Sequence, residues 1–98
     1  MKIFFSKLAT QELEDATEYY ELEQPGLGRR FKQEVKKAAL RISEYPEAWS
    51  IEHGEIRKCL LHRFPYKLLY SIEEDHAFII AVAHLHRRPD YWIDRDDT

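Results

Sequence analysis

Helical periodicity dominates the first half of the 98-residue chain and strand-like apolar runs dominate the second. Ala9, Leu13, Ala16 and Tyr20 recur at helical spacing, while Gln11, Glu14, Asp15, Glu18 and Glu21 project to the other side. That pattern predicts an amphipathic helix of about four turns. Ser6 stands just before it as a candidate N-cap, with a hydroxyl able to accept an orphan backbone N–H. Gln24-Pro25-Gly26 ends the helix, because proline disfavours helix in the residue before it and glycine admits a sharp turn. Leu27, Phe31, Val35, Ala38, Ile42 and Tyr45 then step by four, four, three, four and three, which keeps them on one narrow stripe. So short a break makes the two helices an antiparallel hairpin.

Lys2 to Phe5 reads as a short edge strand. Pro46 stops the second helix, and Glu47 to Glu55 is expected to be a loop anchored by Trp49. Ile56 to Phe64 and Tyr66 to Ile72, rich in leucine, isoleucine and aromatics and parted at Phe64-Pro65, read as a hairpin. Ala77 to Ala83 contains no polar residue and follows the turn-like Glu73-Glu74-Asp75-His76, so it predicts an interior strand buried on both faces. Pro89 cannot extend a ladder, and Asp90-Tyr91-Trp92 is expected as a turn or short helix. The expected architecture is α+β in the order β-α-α-β-β-β, a helical hairpin packed on one face of a small antiparallel sheet. One domain over residues 1–98 uses the whole chain.

Composition adds little to this picture except through its distribution. A hydrophobic fraction of 44% beside 34% charged residues is ordinary for a folded soluble domain. No apolar run approaches the roughly 20 residues that span a bilayer, and Met1 to Phe5 is too soon polar for a signal peptide, so a cytoplasmic protein is expected. Cys59, the single cysteine, has no disulfide partner and argues against a structural zinc site. The net charge of -3 hides a segregation. Gln11 to Glu23 carries six carboxylates and no cation, whereas Arg29 to Arg41 carries six cations and one carboxylate. Surface ion pairs between the helices are therefore expected, each worth at most about 1 kcal/mol. A globally basic nucleic-acid binder is disfavoured.

Candidate chemistry gathers on the strands. All five histidines fall between His53 and His86. Alternation places Arg57, Cys59, Leu61 and Arg63 on one face of a strand and Lys58, Leu60 and His62 on the other. His84 and His86, two apart, share a side and could ligate a metal or exchange protons, but no carboxylate or cysteine ligand has suitable spacing, so neither metal nor cofactor is expected. Tyr66, Tyr70 and Trp92 could stack bases, although aromatics so placed more often pack a core or a peptide groove.

The phrases Leu27-Gly28-Arg29-Arg30-Phe31, Tyr45-Pro46, Ile56-Arg57, Phe64-Pro65-Tyr66-Lys67-Leu68-Leu69-Tyr70 and His84-Leu85-His86-Arg87-Arg88-Pro89-Asp90-Tyr91-Trp92 together resemble the ParE/RelE toxin superfamily, and the exit from Arg88 to Trp92 is closer to the ParE side. The resemblance implies a toxin of a type II toxin-antitoxin pair, with a groove for a cognate antitoxin on the sheet face away from the helices. Arg57, Arg63, Tyr70, His86, Arg87 and Trp92 are the partner-binding residues this implies. Members similar to ParE bind DNA gyrase, whereas those similar to RelE cleave mRNA on the ribosome. In either case nucleic acid is reached only through partners and no membrane is involved. A nuclease would cast His84 as base, Arg57 or Arg63 as phosphate cation and Tyr91 as acid. RelE-like nucleases resemble one another in a sheet face richer in lysine and arginine than this one, so no catalytic residue is expected here.

Overall fold

The protein, seen in a computed structural model that describes residues 1–95, runs β1 (Lys2–Phe5), α1 (Lys7–Glu23), α2 (Leu27–Glu44), β2 (Ile51–His53), β3 (Ile56–Leu60), β4 (Tyr66–Ile72) and β5 (His76–His84). Residues 96–98 of the expected domain lie outside the described residues. Ser6 caps α1, accepting from the Ala9 N–H at 3.0 Å, which satisfies one of the donors a helix start leaves open. Gly26 turns the chain into α2 at φ 89°, a left-handed conformation comfortable for glycine. Gly28 lets the helices touch, since a Cβ there would lie 2.6 Å from the Thr17 carbonyl oxygen.

The expected ion pairs between the helices do not form among the described residues. Glu21 instead folds back onto the start of α2, where its carboxylate accepts from Gly26 N at 2.9 Å and Gly28 N at 3.0 Å. Open N–H groups and the positive end of the helix dipole offer it a better partner than a mobile surface cation.

The helical hairpin on one sheet face and the expected element order are both present, and the sheet is larger and mixed in direction. Its order is β1-β5-β4-β3-β2. β1 runs parallel to β5, with Lys2 opposite His76 and Phe5 opposite Ile79, while the other neighbours are antiparallel. A pairing between the two ends of the chain leaves no local trace in the sequence. Residues 47–55 are not all loop: Ile51 pairs with Arg57 and His53 with Ile56, a strand too short to show a period. β3 stops at Leu60 rather than Phe64, because Arg63 takes φ 71° and turns the chain out of the ladder.

The stripe of α2 is the centre of the core. Phe31, Val35, Ala38 and Ile42 are buried against Cys59, Leu68, Tyr70 and Ile79, and the Phe31 ring lies 4.9 Å from Tyr66 and 5.2 Å from both Tyr20 and Phe64. A bulge explains how the apolar run of β5 serves two faces. Leu69 pairs with Ala81 and the next residue, Tyr70, with Ile79, so Ile80 is an extra residue. Ile79 and Val82 therefore face the helices, while Ile80, Ala81 and Ala83 join Leu69, Ile56 and Trp92 on the other side. Among the described residues no helix is long and apolar enough to cross a membrane.

Candidate functional site

The sheet face away from the helices is part covered and part open. Trp92, 5% exposed, packs with Leu69, Ala81 and Ala83, carried there by the turns that follow β5. Beside this apolar floor Lys67 Nζ stands 3.0 Å and Lys58 Nζ 3.7 Å from one oxygen of Glu52. Arg87 and Arg88 line the same end of the face, in a small recess with Glu52, Lys67 and Trp92. Leu60 is 52% exposed at its margin. One carboxylate shared by two lysines leaves positive charge over, so the face suits an acidic segment that also has apolar side chains.

A clasp holds the cover in place. Where β1 turns away into α1, the later half of β5 would have a bare edge. Glu12 Oε1 accepts from Val82 N at 2.9 Å, and Arg95 donates to the carbonyl of the bulged Ile80 at 2.8 Å. Arg95 also donates to both Glu12 oxygens, at 2.6 and 3.0 Å, and the Tyr91 hydroxyl donates to Glu12 Oε2 at 2.7 Å. The Arg87 guanidinium stacks 3.9 Å over the Tyr91 ring. Burial first, and then the bond to Glu12, push the Tyr91 hydroxyl far above the usual phenol range. Its proton stays where it is.

The residues singled out in the sequence fall in different places. Arg57 belongs to the helix-side face with Cys59 and is half-buried, donating to the carbonyls of Glu47 at 3.2 Å and Trp49 at 2.7 Å. That corrects the expectation that it faces a groove, since the helices cover the face it shares with Cys59 and Leu61. Tyr70, expected to meet a partner, is fully buried on the same side and donates to the Pro46 carbonyl, so the structure places it in the core rather than on a surface. Trp92 presents its ring inward. Arg63, His86 and Arg87 are exposed.

Of the two cations a nuclease could use, Arg57 is remote from His84: Arg57 pairs with Tyr70 and His84 with Tyr66, at opposite ends of β4, and four residues of strand span about 13 Å. Arg63 belongs to the loop at the His84 end, where Leu61 N donates to the Tyr66 carbonyl. His84 Nδ1 accepts from the His86 N–H at 3.0 Å, while Tyr91 is committed to Glu12. Among the described residues no three His, Cys, Asp or Glu side chains are placed to share a metal.

Two residues that matter escaped the sequence reading, Glu12 and Glu34. Each is a carboxylate inside an apolar helical stripe: Glu12 stands three after Ala9 and four before Ala16, and Glu34 three after Phe31 and four before Ala38. A charge on the buried stripe is the signal that could have found both.

The chain has relatives by sequence model and by fold. The family model described as the ParE toxin of the type II toxin-antitoxin system, parDE, matches residues 3–91. No curated protein matches the chain. Among solved structures it is similar to one titled the chromosomal ParDE TA system from P. aeruginosa, with a TM-score of 0.77 and 13% identity over 88% of this chain and 97% of that one. Identity that low makes this a likeness of fold. With the family model spanning both helices and reaching Tyr91, the chain belongs to the ParE toxin family of type II toxin-antitoxin systems.

Proposed function

We propose that this toxin works by binding rather than by turnover, with a target of the DNA gyrase type, and that a cognate antitoxin neutralises it by laying an acidic segment on the sheet face opposite the helices. The observation that carries this reading is the family match over residues 3–91, and the solved ParDE likeness supports an antitoxin partner. The charge left over around Lys58, Lys67, Arg87 and Arg88, beside the apolar floor of Leu69 and Ala83, suits such a segment. Partly desolvated charge-assisted contacts there are worth roughly 1.5 to 3 kcal/mol each. The toxin would act in the cytoplasm without a cofactor. Engagement of Tyr91, the acid of the nuclease alternative, by Glu12 at 2.7 Å weighs against that alternative.

Two assays on purified protein test the reading. Supercoiling by bacterial gyrase should fall, with cleaved DNA accumulating, and the product of a neighbouring reading frame should restore it, while cell-free translation continues. Loss of translation with gyrase unaffected would replace the reading by a ribosome-dependent endoribonuclease.

A further inference from the structure

A second cavity, of about 520 Å3, opens between the helical hairpin and the loop 61–65. Its place in the fold is the helix side, away from Trp92 and the lysines of the sheet face. The walls are apolar and aromatic, from Tyr20, Leu27, Phe64 and Pro65, and the rim carries the cations Arg30, Lys37 and Arg63. Arg30 and Arg63 have no ion-pair partner among the described residues. Arg63 is held at φ 71°, a conformation that a non-glycine residue enters at a cost and that often marks a side chain aimed for use.

Glu34 lines this same cavity. It is 6% exposed, and its Oε1 is buried with no hydrogen-bond partner among the described residues. Its Oε2 has only Lys37 Nζ at 3.5 Å, from a lysine whose side chain is 65% exposed and free to swing. A buried carboxylate oxygen left without a donor is unfavourable by itself, and apolar residues on both sides of it in the stripe would fill the position better. A donor reaching Glu34 from the cavity it lines would offset that cost, and the surroundings favour one attached to something anionic enough for three cations and flat enough for aromatic walls.

We propose that this cavity binds a guanine nucleotide, with Glu34 accepting from the adjacent ring and exocyclic N–H groups of the base and Arg30, Lys37 and Arg63 taking the phosphate. Guanine presents two neighbouring donors on one edge, the complement of a carboxylate, whereas adenine presents a ring acceptor at that position, which the carboxylate repels. Tyr20 and Phe64, packed edge-on against each other at 4.9 Å, both line the cavity, and a base would meet that aromatic wall as bases meet aromatic side chains elsewhere. Guanidinium forks match phosphate oxygens, and Lys37, on leaving Glu34, follows the same charge. The cavity volume lies within the range of small-molecule sites and matches one nucleotide better than a strand.

Calorimetric titration of the full chain with GMP, AMP and a short single-stranded RNA that contains guanosine tests the assignment. GMP should bind at least about tenfold more tightly than AMP, as a site built to pair donors discriminates against a base that lacks them. Glu34→Gln should erase that preference, and Arg63→Ala, at an exposed loop position, should weaken GMP and AMP alike. Melting curves identify any variant that does not fold, in which case the Arg63 variant and the base preference of the unmodified protein decide. No binding of GMP at millimolar concentration, equal binding of AMP, or an unchanged preference in a folded Glu34→Gln would overturn the proposal. Tighter binding of the RNA than of GMP would overturn the assignment to a free nucleotide.

Discussion

Arg95 lies on Glu12 across 83 residues of sequence, with Nη1 3.0 Å from Oε1 and Nη2 2.6 Å from Oε2, and each side chain is 15% exposed. The pair stands where β5 loses the cover of β1, and it supplies what a neighbouring strand would: an acceptor for Val82 N–H and a donor for the Ile80 carbonyl. Such side chains blunt an edge that would otherwise pair with another chain.

Removing Glu12 should cost more than removing Arg95. Glu12→Ala strands the Val82 N–H, the Tyr91 hydroxyl and the guanidinium together, and about 3 kcal/mol is the expected loss. Arg95→Ala leaves the other two bonds to Glu12, so about 1 kcal/mol is expected. A double-mutant cycle in denaturant should return a coupling of roughly 1 kcal/mol. Additive losses would mean that the clasp is merely a surface pair.

Phe31 has no exposed surface and touches three aromatic rings. Phe31→Ala should lower stability by about 3 to 5 kcal/mol, since rings held by two helices and a sheet collapse poorly into the void. A loss below about 1 kcal/mol in chemical denaturation would refute the central place given to the stripe.

The stripe of α2, the cap at Ser6 and the apolar β5 were legible because each is a local pattern: a period, a hydroxyl before a helix, a run without polar residues. What local patterns cannot carry is pairing between distant segments. β1 beside β5, and Arg95 on Glu12, join the two ends of the chain and leave no mark near either residue. Alternation along β3 correctly grouped Arg57 with Cys59, yet it could not say which of the two faces the helices would cover. Counting carboxylates on α1 likewise treated Glu12 as one of six, when its place on the buried stripe set it apart.

Tyr70 gives the fold a response to alkali. Burial raises its hydroxyl to about 12, with the Arg57 guanidinium opposing the rise. The folded value lies above the unfolded one, so the neutral phenol contributes its full stability below about pH 10, the ordinary phenol value. Stability is then lost as pH climbs from there through about 12. Midpoints measured in denaturant across that window should fall in the unmodified protein and fall less steeply in Tyr70→Phe. Parallel curves would mean that other tyrosines dominate.

Cys59 is 1% exposed, and burial, against a lesser opposing effect of Arg41, raises its thiol. The thiolate that reacts with disulfide reagents is therefore scarce in the folded state. Labelling of the native protein by an aromatic disulfide should run at the rate of unfolding and become fast only in denaturant. Rapid reaction of the native chain would show that β3 opens beneath α2.

Arg57 separates structure from recognition. Its guanidinium ties the carbonyls of Glu47 and Trp49 to the start of β3 and so fixes the segment between α2 and β2. Charge-assisted bonds of that kind, half-buried, are worth roughly 1.5 to 3 kcal/mol. Arg57→Ala should therefore lower the melting temperature while leaving antitoxin affinity unchanged within about twofold, because its side chain lies on the helix side of the sheet, tied to the 47–49 segment and turned away from the open face. Lys58 lies on that open face, 3.7 Å from Glu52. Lys58→Glu should do the reverse, weakening antitoxin binding by about tenfold through like-charge contact with only a modest change in melting, since Lys67 keeps its pairing with Glu52 at 3.0 Å. Calorimetry with the cognate antitoxin on both variants decides between the faces: if Arg57→Ala loses affinity and keeps its melting temperature while Lys58→Glu binds normally, the antitoxin lies on the helix side and the sheet face is not its seat.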